Sequence, residues 1–142
     1  MKILSVFLFS LCLLVVTSSV QAVTTGDAAL DESLNSLTEQ VKDNPENFIK
    51  VNLAVRFNQP AEQLIGLMKN DKLEVSEVFV ISYFAASMNK DLDTVMNDFK
   101  TSNKNWSQFF GTYKIVKGNK EYRKLLKASI NVHPKPFIPK VK

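Results

Sequence analysis

The stretch "EVSEVFVISYFAASMN", Glu74 to Asn89, is apolar on most sides, from Val75 and Val78 through Phe79, Val80, Ile81, Phe84, Ala85 and Met88. The β-branched residues of "VFVIS" also suit a strand. The apolar pattern runs on through "YFAASM" without a turn signal, well past strand length, and this favours a helix. A helix that is apolar all round must be buried all round, which places this segment at the centre of a helical bundle.

Both flanks repeat the helical period. Upstream, "LDESLNSLTEQV" carries Leu30, Leu34, Leu37 and Val41 at steps of four, three and four, one stripe of an amphipathic helix. Asn44 followed by Pro45 reads as a cap and a fresh start, because proline at the first helical position loses no hydrogen bond. The helix that follows is expected to carry Phe48, Val51 and Val55 on one face, with Ile49, Leu53 and Phe57 beside them. Asn58 can take a left-handed C-terminal position, and Pro60 restarts the chain into a helix through Leu64, Ile65, Leu67 and Met68. Downstream, a short helix from Asp91 to about Lys100 turns Leu92, Val95, Met96 and Phe99 inward. "NWSQFFGTYKI" gives another, stopped by Gly111, and "KEYRKLLKASI" a last one with Tyr122, Leu125, Leu126 and Ile130. The three prolines of "HPKPFIPKVK" forbid helix and predict an extended tail.

An offset of 31 residues superposes Ala54 on Ala85, Asn58 on Asn89, Leu64 on Val95, Ile65 on Met96, Met68 on Phe99 and Lys69 on Lys100. The two stretches read as copies of one helix, Asn turn, helix unit. Two copies are too few for an open repeat array, so they are expected to pack face to face. The expected fold is all-α, a compact bundle of short helices built on two helix-turn-helix units.

The chain opens with Lys2, an apolar core from Ile3 to Val16, and Val20-Gln21-Ala22, the pattern of a secretory signal peptide cut after Ala22. Thr17-Ser18-Ser19 closes the apolar run too early for a spanning helix, so no stable membrane span is expected after cleavage. Leu11 ahead of Cys12 argues against a lipid-modified cysteine. Cys12 is the one cysteine of the chain, and it leaves with the leader. The mature protein then has no disulfide, no thiolate nucleophile and no cysteine-based zinc site. The organisation read from the chain is a signal peptide over 1–22, a helical domain over 23–130 and a Pro/Lys-rich tail over 131–142. The expected location is periplasmic or secreted.

Charge is uneven along the mature chain. Val23 to Phe48 carries a net −5, whereas Lys117 to Lys142 carries +7. The ends can pair internally, or the basic end can attract an anionic partner; an ordinary solvated helix and loose tail is the plainer reading.

"VNLAVRFNQPAEQLIGLMKNDKLEVSEVFVISYFAASMNKDLDTVMNDFKTSNKNWSQFFGTYKI", Val51 to Ile115, resembles a family of small exported bacterial proteins with no assigned function. Its members similarly show an alanine-containing helix ending at a turn, a long apolar helix, a Gly-Lys turn, a short Val-containing helix and a Gly-Trp-Gly element. Here Asn89-Lys90 stands at the Gly-Lys turn, which is acceptable because Asn tolerates positive φ. Asn105-Trp106-Ser107 replaces the glycines around the tryptophan. The resemblance implies an exported all-helical protein and brings no catalytic or binding residues with it.

His133 is the one histidine of the chain. Without a second histidine or a mature cysteine, the reading sets aside His/Cys metal sites and Ser-His or Cys-His nucleophilic systems. Carboxylate chemistry remains: Asp27 with Asp31, Asp91 with Asp93, and Glu74 with Glu77. Each pair lies near a predicted helix start, where an acid serves as a cap far more often than as a general acid or base. A hydrolase would need two of these carboxyls to converge in one cleft. The four glycines are too scattered for a phosphate loop. "LAVRFNQPAEQLIGLM" has helix-turn-helix spacing, yet Glu62 near phosphates and only Gln63 able to read a base edge make a poor recognition surface, so no nucleic acid partner is expected.

Trp106, Phe109, Phe110 and Tyr113 form the densest aromatic cluster, a binding patch or, more commonly for large aromatics, a core plug. The leading expectation is a non-enzymatic interaction domain with no cofactor and no metal. Its partner would be a protein or an anionic envelope component, met by Lys120, Arg123, Lys124 and Lys127. The alternative is a carrier of a small apolar ligand, which would need an enclosed pocket between helices of roughly 300 Å³ or more.

Overall fold

The computed structural model describes residues 23–136 and 138–139. The leader expected over 1–22 and the last residues of the tail lie outside them. The elements are α1 (Ala28–Val41), α2 (Pro45–Phe48), α3 (Ala54–Phe57), α4 (Ala61–Asn70), α5 (Val75–Ser87), α6 (Leu92–Thr101), α7 (Trp106–Thr112) and α8 (Lys120–Asn131), with a π-helical turn, Ile49–Leu53, between α2 and α3. The architecture is all-α, with no strand among the described residues, and "VFVIS" is helical.

α5 is the hub. It packs against α1, α4, α6 and the rod formed by α2, the π turn and α3. Val78, Phe79, Val80, Ile81 and Phe84 are fully buried on successive faces, as an all-round apolar helix requires. Its start is fixed by Glu77, whose carboxylate accepts from the Glu74 backbone N–H at 2.8 Å. Other expected caps are present too: Asp91 accepts from Thr94 N at 2.7 Å and Asn44 from Asn47 N at 3.3 Å, with Pro45 at the first helical position.

The rod from Pro45 to Phe57 departs from the expected pattern. Phe48, Ile49, Leu53 and Ala54 are buried, whereas Val51 and Val55 are 57% and 74% exposed. The π turn is the cause. The Ala54 N–H bonds to Ile49 O, an i→i+5 step. That extra residue keeps Phe48 and Leu53, five apart, on one face, where a regular 3.6-residue turn would rotate them apart.

The two Asn turns match. Asn58 and Asn89 hold φ of 50° and 51°, and the following amides close the same loop, Gln59 N to Ala54 O at 3.0 Å and Lys90 N to Ala85 O at 2.9 Å. The two units meet through α5, which lies against both α3 and α4 of the first, and α6 passes on to α7. Gly111 does not stop α7. The helix runs through it to Thr112, and Lys114, at φ 54°, makes the left-handed turn instead.

α1 and α8 close the bundle against each other and join the two ends of the described chain. Their contact is narrow because serines line it, with Ser129 Oγ donating to Ser33 Oγ at 2.9 Å. The packed domain extends beyond 130. α8 ends at Asn131, Val132 is in the core, and His133 Nε2 lies 3.0 Å from Ser33 O. No helix among the described residues is long and apolar enough to cross a membrane.

Candidate functional site

Asn119 caps α8 by accepting from Tyr122 N at 2.7 Å, and Tyr122, Leu125 and Ser129 turn inward at steps of three and four. That spacing forces Lys120, Arg123, Lys124 and Lys127 onto the outer side, where all four are exposed. Arg123 donates to Gly118 O, and Lys124 pairs with Glu121 at 3.0 Å within the helix. Lys120 and Lys127 make no ion pair among the described residues. At the other end of α8 the Arg56 guanidinium donates to Asn131 O at 3.2 Å, a cation at the negative end of the helix dipole.

The aromatic cluster is a core plug. Trp106, Phe109 and Phe110 are buried and Tyr113 is half-buried. Trp106 stacks on Phe99 at 4.0 Å between centroids, and Phe109 meets Phe84 edge-on at 5.2 Å. These rings present no contiguous exposed patch. Tyr113 donates to Asp98 at 2.7 Å, and Lys90 stands 3.2 Å from the same carboxylate. The Tyr113 bond and then Lys90 hold the Asp98 carboxyl below its usual range, while burial first and Asp98 second push the Tyr113 phenol up. Asn105 serves as the α7 cap, accepting from Gln108 N at 3.0 Å.

A polar cluster that the sequence reading did not assemble lies where α1, α8 and the loop between α7 and α8 meet. Asp27 Oδ1 accepts from Leu30 N at 3.0 Å, the expected cap, and also from the Tyr122 hydroxyl. Lys117 Nζ lies 3.1 Å from Oδ2; the Asp27 side chain is only 9% exposed and that of Lys117 is 78% exposed. This buried oxygen is met by the Lys117 ammonium alone. Burial pushes the Asp27 carboxyl up, but the bonds from Tyr122 and Leu30 together with Lys117 outweigh it, and the net shift is downward. Beside the carboxylate opens a cleft of about 240 Å³, walled by Leu30, Phe110, Ile115 and Val116 with Ser107 at its edge. Val116, on its wall, is 63% exposed. A second cleft of about 250 Å³ is lined by Gln40, Asn44, Asn47, Phe48, Asn52 and Pro134. Both are open to solvent.

His133, expected in a loose tail, is instead tucked against α1, with Nε2 3.3 Å from Ser33 Oγ. This is a Ser-His contact, the pairing the sequence reading set aside. Ser33 is completely buried, so its hydroxyl is closed to any substrate. Burial lowers the His133 pKa, against a smaller opposing effect of the Ser33 backbone. Asp31, by contrast with Asp27, acts locally: it accepts from Thr25 N and Oγ1 at 2.7 and 2.6 Å, tying down the segment ahead of α1. Among the described residues, no three of His, Cys, Asp and Glu gather to hold a metal ion.

The fold and its surfaces define a compact all-α domain of two tandem helix-turn-helix units closed by a terminal helix pair. Compared with protein-family models, with curated proteins and with solved structures, the chain has no match.

Proposed function

We propose that the protein is an exported, non-enzymatic helical domain that acts by contact, docking an anionic protein surface or envelope polymer on the outer face of α8. The observation that carries this reading is the face itself, where Lys120, Arg123, Lys124 and Lys127 stand exposed together on one helix. A cluster of cations on a rigid helix raises the local concentration of polyanions and holds them weakly in many registers. The partner follows from charge alone, either an acidic protein or an anionic component of the envelope.

Export with a cut after Ala22 draws support from the packing of the residue that would then come first. Val23, the residue after the expected cut, is already buried at 3% exposure. Its N–H donates to Asn35 Oδ1 at 2.9 Å. Native protein is expected to begin at Val23 by mass spectrometry, and mature material retaining Met1 would refute export by this route.

The docking face is tested by co-sedimentation with anionic vesicles and with cell-wall polymer at low and high salt. The wild type is expected to bind and to release as salt rises, with binding reduced roughly tenfold when all four residues become Gln. Equal binding by the two proteins would remove this face from consideration.

A further inference from the structure

The cleft beside Asp27 has a feature that capping and packing leave unexplained. A carboxylate that serves only to cap a helix has no need of a second, buried oxygen beside a cleft. Here Oδ1 is used by Leu30 N and Tyr122, while the buried Oδ2 is left to the Lys117 ammonium alone. The cleft beside it joins the apolar side chains of Leu30, Phe110, Ile115 and Val116 to the polar ones of Thr25, Ser107 and Tyr122. Val116 is 63% exposed there and so is open to contact with a ligand's carbon chain. The oxygen is reached by one group, the Lys117 ammonium on its four-carbon stem, and that side chain is itself 78% exposed. Lys117 thus shows the shape of what fits, a slim –NH₃⁺ at the end of a carbon chain.

We propose that the Asp27 cleft is a binding site for a compact primary amine, whose ammonium takes the place of Lys117 Nζ on Asp27 Oδ2 while its carbon chain lies on Phe110, Ile115 and Val116. The volume, about 240 Å³, suits a molecule smaller than an ordinary drug-sized ligand. A metal ion is a poor fit, because a single carboxylate with a phenol and a hydroxyl falls short of the oxygen set a hard cation needs. An anion is repelled by Asp27, and by Asp31 in the first turn of α1. Quaternary ammonium groups are too broad to reach an oxygen with no accessible surface. Lys117 acts as an internal occupant that an external amine must displace, so the site is partly self-inhibited.

The test is an amide-shift titration of the full-length protein with n-butylamine, using 1-pentanol and tetramethylammonium as matched controls. Butylamine is expected to shift the amides of Gly26, Ser107 and Lys117, and the controls to leave them in place. Lys117→Gln, at an exposed position, removes the competitor and is expected to tighten butylamine binding several-fold. Asp27→Asn keeps a capping oxygen but loses the charge, and is expected to weaken binding roughly tenfold or more. Pentanol shifting the same amides as strongly, or Lys117→Gln binding no more tightly than wild type, would overturn the proposal. The Lys117→Gln result decides the matter even where Asp27→Asn fails to fold. This site does not depend on the α8 docking face, and glutamine at Lys120, Arg123, Lys124 and Lys127 is expected to leave amine binding in place.

Discussion

Asp27 concentrates three tasks in one carboxylate. It caps α1, bonds the Tyr122 hydroxyl across the start of α8, and holds the Lys117 ion pair. Replacement by Ala removes the cap and leaves a buried phenol without its acceptor, an expected loss of about 2–3 kcal/mol in urea unfolding. The pH dependence follows from the downward shift of its folded pKa. The unfolded chain takes up the proton first, so the contribution is whole above the unfolded value and vanishes as pH falls through the folded one. Wild-type stability is therefore expected to drop between about pH 5 and pH 2, and Asp27→Asn to flatten that part of the profile. The cap was legible in the sequence, because an acid three residues ahead of its amide partner is a local signal. Tyr122 and Lys117 were not, since a polar contact spanning some ninety residues leaves no periodic trace. The same holds for Ser33 with Ser129 and His133, where burial of small polar side chains mimics an ordinary helix face.

Most helix ends here turn on a residue other than glycine. Asn58, Asn89, Asn103, Lys104, Lys72 and Lys114 all hold positive φ. Asparagine takes this conformation at little cost, and lysine takes it less well. Lys114→Gly is accordingly expected to raise stability by about 0.5–1 kcal/mol, and Asn89→Ala to lower it by a similar amount, both read from denaturation midpoints. Asn58 and Asn89 could be read in advance, because Asn between two apolar runs is a known stop. Lys114 could not, and Gly111 drew attention only because it was a glycine. The π turn was hidden for a related reason: a strict 3.6 period cannot represent one added residue, so Val51 and Val55 were assigned inward and Leu53 was given a lesser place. α5 was the most legible element, since a run apolar on every side leaves no choice of face.

At the scale of the whole molecule, the helices and their order were readable, and their mutual placement was not. The 31-residue match predicted two copies and could not say which helices meet, because copies of one unit carry the same apolar spacing whichever face they share. The end of the domain was misplaced for a different reason, as three prolines obscured the burial of Val132 just before them. A chain stopped after Asn131 is expected to lose about 2 kcal/mol or more through the missing Val132 and His133 contacts, whereas one stopped after Lys135 is expected to unfold like the full protein in a thermal scan. Both ends of the fold are pinned to the same stretch of α1. Val23 is held by Asn35 and His133 by Ser33, positions two residues apart on one helix. Entry and exit of the polypeptide therefore lie within a short linker's reach, so the chain could be closed into a ring and reopened at the Lys72 turn, giving a circular permutant in which every helix keeps its neighbours.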